Sequence, residues 1–93
     1  MAATWFIYIV EGCTGQLYTG ITTDVERRIE EHNGTGAGAG RGARWCRANR
    51  PVRLVWQREA ASRAEASRLE ARIKKLRRAE KLALIAGDRA CPG

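Results

Sequence analysis

The sequence lacks the residues that a zinc site, a disulfide framework or a membrane span would need. It has one histidine and three cysteines, and Cys13, Cys46 and Cys91 are widely separated, with no Cys-x-x-Cys pair. This odd, scattered set argues against both a zinc site and a disulfide framework, so we expect reduced thiols. The longest apolar run, residues 5–10, is far shorter than the ~20 residues of a membrane helix, and no basic segment precedes it as in a signal peptide. We therefore expect a cytoplasmic protein with no membrane partner.

The length leaves room for little more than one small core. A chain of 93 residues buries only a modest interior, which argues against a second functional domain. We predict a single domain over residues 1–93, with its core at about 5–86 and a tail over 88–93. The sequence contains no internal repeat.

Basic residues are few in the first part of the chain, so the charge is unevenly spread. Residues 1–40 carry two Lys/Arg and five Asp/Glu, a balance of −3, whereas residues 41–93 carry fifteen and five, a balance of +10. A strongly cationic half favours a polyanionic partner. Because arginine predominates and its guanidinium forks onto phosphate oxygens, nucleic acid is favoured over an acidic membrane surface. A generic basic surface is the alternative.

The two tyrosines lie in two short β-prone runs. Residues 5–10 are a nearly continuous run of β-branched and aromatic residues, typical of a central strand covered on both faces. A turn containing glycine follows, and residues 16–21 read as a second strand. The resulting β-hairpin brings Tyr8 and Tyr18 onto one small sheet.

A helix is predicted directly after the hairpin. Thr22 or Thr23 supplies an N-cap, and Glu26 stands at capping-box spacing from Thr23. The helix should end at about Asn33, because Gly34 follows it.

The apolar stripe of this helix also carries two ionisable residues. On a helical wheel, Arg28 and His32 lie beside Val25 and Ile29, on the side that should face the core. The outward positions are Glu26, Arg27, Glu30 and Glu31. A buried histidine and arginine need hydrogen-bonding partners or a functional purpose, and periodicity alone leaves these two interpretations open.

Residues 34–50 are rich in glycine and arginine and show no hydrophobic periodicity, which predicts a long basic loop. The segment matches neither of the common glycine-rich phosphate-binding patterns, so we expect no nucleotide cofactor. Trp45 can stack on a base or cover the core, and the sequence leaves both open. The cations predicted to bind phosphates in this loop are Arg41, Arg44, Arg47 and Arg50.

A third strand is predicted over residues 52–57, where Val52, Leu54 and Trp56 alternate along one packed face. Together with the hairpin, this strand indicates a three-stranded, largely antiparallel sheet with helices packed on it. The order β-β-α-β-α-α is that of an α+β domain.

A long basic helix follows the third strand. Ser62 and Glu65 repeat the capping-box spacing at its start. Residues 80–86 continue as helix, either unbroken or after a bend near Arg77, and Gly87 ends it. The apolar stripe of the long helix is Ala66, Leu69, Ile73 and Leu76.

These residues could supply the groups that phosphodiester hydrolysis needs, namely an activated water, a cation and a divalent metal. Tyr8 and Tyr18 could accept a proton or position water, although a phenol of pKa ~10 is a poor base unless cations or metal lower it. His32 is an alternative base with a more suitable pKa. Arg28 would clamp the phosphate. Periodicity does not choose the carboxylate that would hold Mg²⁺.

The two β-prone runs contain the triplets Phe6-Ile7-Tyr8 and Tyr18-Thr19-Gly20. These triplets resemble the two motifs of the GIY-YIG nuclease domain. The resemblance covers about residues 5–85, and residues 49–56 and 81–85 are also similar to small stand-alone GIY-YIG proteins of bacteria.

The resemblance implies roles for individual residues. Tyr8, Tyr18, Arg28 and His32 occupy catalytic positions, and Gly20 is the motif glycine. Glu70 matches the glutamate that holds the metal ion, on a helix just before a basic stretch. The residues expected to bind nucleic acid are Arg41, Arg44, Trp45, Arg47, Arg50, Arg72, Lys74 and Lys75.

The resemblance implies an endonuclease that uses one Mg²⁺ or Mn²⁺ ion and acts on DNA, in repair or processing. Phe6 and Thr19 depart from the motifs, and no asparagine follows Glu70. These departures affect the expected rate and substrate more than the expected fold. The larger members gain specificity from a second domain, so a protein partner could supply it here. One alternative is a nucleic-acid-binding module that keeps the fold without catalysis. Another is a basic scaffold that binds an acidic protein.

Overall fold

A computed structural model describes residues 3–34 and 44–92 of the chain, except for the side chains of Arg44 and Arg47. The predicted α+β class and the order β-β-α-β-α-α are confirmed, with one short helix added between the first helix and the third strand. The elements are β1 (Trp5–Glu11), β2 (Leu17–Thr22), α1 (Val25–Asn33), α2 (Arg44–Ala48), β3 (Arg53–Ala60), α3 (Arg63–Lys74) and α4 (Arg78–Ala86).

The three strands form one antiparallel sheet in the order β2-β1-β3. In the central strand β1, Ile7, Tyr8, Ile9 and Val10 are each no more than 1% exposed. The continuous apolar run is therefore covered on both faces, as predicted. Ile7 and Ile9 face α3 and α4, whereas Tyr8 and Val10 face α1 and α2. We call this second side of the sheet the tyrosine face.

The third strand differs from its prediction in length and in packing. It runs over Arg53–Ala60, and a register shift lets Ile9 pair with Trp56 while Val10 pairs with Leu54. The extra residue of this bulge is Val55. The predicted alternation is therefore wrong: Leu54 is exposed, whereas Val55 and Trp56 both pack against the core cluster of Ile7 and Ile9.

The N-cap of α1 is Asp24, so the prediction of Thr22 or Thr23 is wrong. The Asp24 carboxylate accepts the backbone N–H of Arg27 at 3.1 Å. Thr22 instead accepts the backbone N–H of Asp24 at 3.1 Å and closes the turn that leads into the helix. At the other end, Gly34 adopts the left-handed conformation with φ of 71° and terminates the helix as predicted.

The long basic helix is broken into α3 and α4. Ser62 caps α3 by accepting the Glu65 N–H at 3.1 Å, and Ala66, Leu69 and Ile73 form its buried stripe. The helix ends at Lys74, and α4 starts at Arg78. The Glu80 carboxylate accepts the backbone N–H of Arg77 at 3.1 Å and stabilises this second start.

Within the segment expected to be a loop, residues 44–48 form the helix α2, so the loop prediction is wrong there. The end of this helix packs on the turn between β1 and β2. Cys13 donates its backbone N–H to the Asn49 carbonyl at 3.0 Å, and a Cβ on Gly12 would lie 2.8 Å from Asn49 Cβ. The contact leaves no room for a side chain at Gly12 and fixes α2 against the tyrosine face. Residues 35–43, including Arg41, lie outside the described residues.

The segment after α4 is also attached to the core, although the sequence predicted only a tail. The guanidinium of Arg89 forms an ion pair with Glu80. Cys91 packs against the core cluster that contains Ile7. Among the described residues, no helix combines the length and the apolar character needed to cross a bilayer.

Candidate active site

The tyrosine face covers a buried group of polar and aromatic side chains. Tyr8 points from β1 toward α1 and α2, where His32 and Cys46 are fully buried. The side-chain amide of Asn33 donates to the Val52 carbonyl at 2.9 Å, and its oxygen accepts the Val52 N–H at 2.7 Å. These two bonds anchor the last turn of α1 and so determine where His32 lies.

Tyr8, His32 and Arg28 form a chain of hydrogen bonds. The Tyr8 hydroxyl oxygen lies 2.7 Å from Nε2 of His32. Burial, reinforced by the charge of Arg28, lowers the pKa of His32 to about 4, so the imidazole is neutral near pH 7. Burial also raises the pKa of Tyr8 above that of a free phenol. The Arg28 guanidinium donates to the Tyr8 oxygen, and in the tautomer that carries its proton on Nδ1 the neutral imidazole accepts the phenol proton at Nε2.

Arg28 is held in place by a carboxylate that the helical wheel placed on the wrong side. Its Nη1 donates to Glu31 Oε1 at 2.8 Å, and Glu31 is only 7% exposed. The prediction that Glu31 points outward is wrong because its carboxylate folds against the half-buried guanidinium one turn away. Burial opposes the charge of Arg28, but Glu31 and Tyr8 together hold its pKa above the usual range. Arg28 therefore stays cationic.

Gly20 is required by the ring of Tyr8. The two residues lie opposite each other in the β1–β2 ladder. A Cβ at Gly20 would lie 2.5 Å from the Tyr8 hydroxyl oxygen and 2.7 Å from its Cζ. Because the phenol crosses directly over the glycine, a larger residue fits only if the ring moves.

Gly20→Ala is therefore expected to displace Tyr8 and break its hydrogen bond to His32, at a cost of about 1–3 kcal/mol of stability. Since the chain has one histidine, its pKa can be followed by NMR. Burial is the main cause of the low pKa of His32, so a displaced Tyr8 ring that lets water reach the imidazole should raise this pKa from about 4 toward 6.5.

Gly15→Ala is the matched control for this experiment. Gly15 has φ of 85°, so alanine is strained there, but its Cβ would meet nothing closer than 3.9 Å. This control should lose stability without moving the histidine pKa. If Gly20→Ala also leaves that pKa unchanged, the steric role of Gly20 is wrong.

Tyr18 lies at the edge of the cluster, between Trp45 and the end of α3. Its ring stacks on Trp45 at a centroid distance of 5.4 Å and meets His32 edge-on at 5.7 Å. Lys74 Nζ lies 6.0 Å from the centre of the Tyr18 ring and 3.6 Å from Glu70 Oε2. Trp45 thus covers the cluster, one of the two interpretations that the sequence left open.

The Tyr18 phenol and the Cys46 thiol are neutral near pH 7. Burial, with further contributions from Cys46 and Glu70, raises the pKa of Tyr18, and the charge of Arg28 only partly offsets this. Burial raises the pKa of the Cys46 thiol to about 11. Deprotonation of either group therefore requires an additional nearby cation.

Comparisons with known proteins identify the fold and the motifs. The profile of the GIY-YIG catalytic domain matches residues 4–83. The chain belongs to the GIY-YIG family. This membership confirms the expectation drawn from the two motifs and places the protein in a family of nucleases that generally use divalent metal ions.

The GIY-YIG relatives include small stand-alone proteins, as predicted. The UPF0213 protein DP2720 of Desulfotalea psychrophila is 47% identical over 81 residues, which cover 87% of this chain and 70% of the relative. The UPF0213 protein VNG_2274C of Halobacterium salinarum is also 47% identical, over 85% of this chain and 96% of the relative. The solution NMR structure of the UPF0213 protein BH0048 from Bacillus halodurans has a TM-score of 0.55 at 40% identity, covering 89% of this chain and 83% of that one.

The candidate metal ligand of this GIY-YIG domain is a single carboxylate. Within residues 3–34 and 44–92, no three His, Cys, Asp or Glu side chains lie close enough to hold an ion together. Glu65 accepts the backbone N–H of Ala61 at the start of α3, whereas Glu70 lies beside Tyr18 with its side chain 24% exposed. One accessible carboxylate fits Mg²⁺, which usually binds one or two carboxylates and keeps several waters.

The predicted nucleic-acid contacts have different surroundings. Arg50 is half-buried, and its Nε donates to the His32 carbonyl at 2.7 Å, so it stabilises the end of α1. Lys74 lies at the site, and Arg72 and Lys75 are exposed on α3. The side chains of Arg41, Arg44 and Arg47 are outside the described part of the chain. The role of all these residues in binding stays a prediction.

Sequence reasoning missed two members of the cluster, Glu31 and Cys46. The spacing of Glu31, three residues after Arg28, was a signal for an ion pair along the helix. Cys46 had no comparable signal, because its burial depends on how α2 packs against Tyr8.

Proposed function

We propose that this protein is a divalent-metal-dependent endonuclease that hydrolyses phosphodiester bonds in DNA. The observation that carries the proposal is the hydrogen-bond chain from Arg28 through Tyr8 to neutral His32, beside the partly exposed Tyr18 and Glu70. A simple structural cluster would not need a cation, a phenol and a proton acceptor arranged in this order.

The hydrogen-bond chain from Arg28 to His32 is suited to removing a proton from an attacking water. His32 is buried and contacts Tyr8, so it can take the Tyr8 proton as the Tyr8 oxygen takes one from water. The hydroxide formed attacks phosphorus, and the bond from phosphorus to the leaving oxygen breaks. A solvent water then protonates the leaving oxygen. Tyr18, at the edge of the cluster, positions the attacking water.

Arg28 and the metal ion held by Glu70 stabilise the charge that develops on the phosphate. Arg28 is 27% exposed in its side chain and stays cationic, so it can donate to a phosphoryl oxygen while Glu31 holds it in position. Glu70 would hold the metal ion, together with waters and the substrate. When bound, the ion supplies Lewis-acid stabilisation of the phosphoryl oxygens.

The basic second half of the chain supports DNA as the substrate, because the fifteen Lys and Arg over residues 41–93 can bind the phosphates of a nucleic-acid backbone. DNA repair or processing is the expected setting. A protein partner would supply target specificity.

A second candidate function is binding of nucleic acid without cleavage. The observation in its favour is the excess of Lys and Arg over residues 41–93, which can bind phosphates without any metal ion. Binding of DNA with no cleavage in Mg²⁺ or Mn²⁺ would select this function.

Removing the Tyr18 hydroxyl tests the catalytic proposal. Tyr18→Phe should lower the chemical step by at least ~10²-fold at saturating DNA, as expected for a lost positioning or acid–base group. The ring still stacks on Trp45, so the fold should be unchanged by circular dichroism. A folded mutant that cleaves DNA at the wild-type rate would show that Tyr18 is only structural.

A further inference from the structure

A second cationic site lies on the other side of α3 from Glu70. It is an open pocket of about 290 Å³ lined by Arg58, Glu65, Arg68, Leu69 and Arg72. We call it the arginine pocket. Its volume is close to the lower limit of ~300 Å³ for small-molecule sites, so it suits one charged group better than a whole nucleotide.

The three arginines of this pocket have no partner within the described part of the chain. The guanidinium groups of Arg58, Arg68 and Arg72 make no hydrogen bond or ion pair with the side chains or backbone of residues 3–34 and 44–92. Glu65, the one carboxylate of the pocket, accepts the Ala61 N–H instead. Most other described arginines are engaged, as in the pairs of Arg53 with Glu11, Arg89 with Glu80 and Arg28 with Glu31.

Three arginines and one carboxylate line the pocket, so its cations outnumber its anions and repel one another, and a bound anion would offset that repulsion. Arginine presents a planar fork of N–H donors that matches the oxygens of a phosphate. Leu69 is 4% exposed and gives the pocket an apolar floor. Next to this surface, the attraction between the arginines and a phosphate is screened less than in open water.

The pocket is too far from the tyrosine face to touch the same phosphate. With Leu69 at zero on the wheel of α3, Glu65, Arg68 and Arg72 fall at about −40° to −100°, whereas Glu70 and Lys74 fall at about +100° to +140°. Arg58 lies on β3 and Tyr18 on β2, with β1 between them. Two strand spacings separate these residues by roughly 10 Å.

We propose that the arginine pocket is a second phosphate-binding site, which holds a backbone phosphate of bound DNA away from the phosphodiester that is cleaved. The inference rests on the proposed function only for the choice of DNA as the source of the phosphate. It gives the protein two separate contacts with one DNA molecule, one on each flank of α3.

The test measures DNA binding in a chelator, where cleavage cannot contribute. Affinity for a labelled three-way junction is measured over a salt series for wild type and for the double variant Arg58→Gln and Arg68→Gln. Each phosphate contact contributes ~0.9 to the slope of log K against log salt, so the double variant should flatten the slope by about one to two units.

The matched control is the double variant Arg53→Gln and Arg89→Gln. It removes the same formal charge from two arginines already paired with Glu11 and Glu80. The slope of this control should stay within about half a unit of wild type. If both double variants change the slope equally, or neither does, the pocket is not a phosphate site. Preferential loss of an acidic protein partner, with the slope unchanged, would also overturn the proposal.

The outcome is separate from that of the proposed function. A flattened slope in a protein that never cleaves would support the pocket and reject the endonuclease. An unchanged slope in a protein that cleaves normally would reject the pocket alone.

Discussion

Glu70→Gln is expected to lower metal-dependent cleavage by at least about 10³-fold, because a lost Lewis-acid contribution of several kcal/mol costs about tenfold per 1.4 kcal/mol. DNA affinity should be unchanged or higher, since the substitution removes a negative charge without removing a phosphate contact. The fold should survive, because the ion pair with Lys74 is partly exposed and glutamine suits a helix. Single-turnover rates and affinity, measured over a range of Mg²⁺ concentrations, check this prediction.

Glu59→Gln is the matched control for Glu70→Gln. Glu59 is exposed on β3, and its carboxylate makes no hydrogen bond or ion pair within the described part of the chain. Its substitution should leave both rate and affinity at the wild-type level. If Glu70→Gln also cleaves at the wild-type rate in Mg²⁺, the metal ligand has been misassigned.

Arg28→Ala should lower the cleavage rate by about 10²–10³-fold at saturating DNA, the effect of losing one donor to a developing oxyanion. Binding should weaken far less, because one contact among many basic residues is lost. The neighbouring Arg27→Ala is a close control, because it removes the same charge from the same helix. The Arg27 side chain is 58% exposed, and its Nε lies 3.9 Å from Glu31 Oε2, a longer ion pair than that of Arg28.

A folding defect must be separated from a catalytic one in this experiment, since Arg28→Ala leaves the buried Glu31 carboxylate without its closest cation. The double variant Arg28→Ala and Glu31→Gln removes that unpaired charge and should regain stability without regaining activity. If it regains the wild-type rate, Arg28 only supports the fold. If Arg28→Ala and Arg27→Ala reduce rate and affinity in the same proportion, Arg28 has no special role in the reaction.

The parts of the fold that local patterns determine were predictable. The run around Tyr8 predicts a central strand because both faces of that strand are covered. The helical wheel of α1 placed Arg28 and His32 on the inner side, because their spacing from Val25 and Ile29 determines which side of the helix they share. Gly34 marked the end of α1 because a helix often ends at a glycine in the left-handed conformation.

The parts of the fold that depend on tertiary contacts could not be predicted from the sequence. The bulge at Val55 belongs to the pairing of β3 with β1, and no local pattern records a register shift. α2 has only five residues, too few for periodicity to distinguish it from the glycine-rich segment before it. The choice between Thr23 and Asp24 as N-cap is a choice between two good caps one residue apart.

The site shows the same division. Motif resemblance pointed to Gly20 and Tyr8 separately, but the reason for the glycine is that the Tyr8 ring crosses it, which requires the hairpin register. Glu65 and Glu70 could not be told apart by periodicity. The structure separates them, because the Glu65 carboxylate accepts the Ala61 N–H at the start of α3, whereas Glu70 lies beside Tyr18.

The most direct measurement is cleavage of labelled single-stranded, duplex, flap and junction DNA by the wild-type protein, with Mg²⁺ or with chelator. Glu70→Gln, purified in the same way, controls for contaminating nuclease. The account predicts that at least one DNA is cut by the wild type in Mg²⁺, and that chelator or Glu70→Gln abolishes the cut. Binding of these DNAs by the folded wild type without cleavage in Mg²⁺ or Mn²⁺ would contradict it.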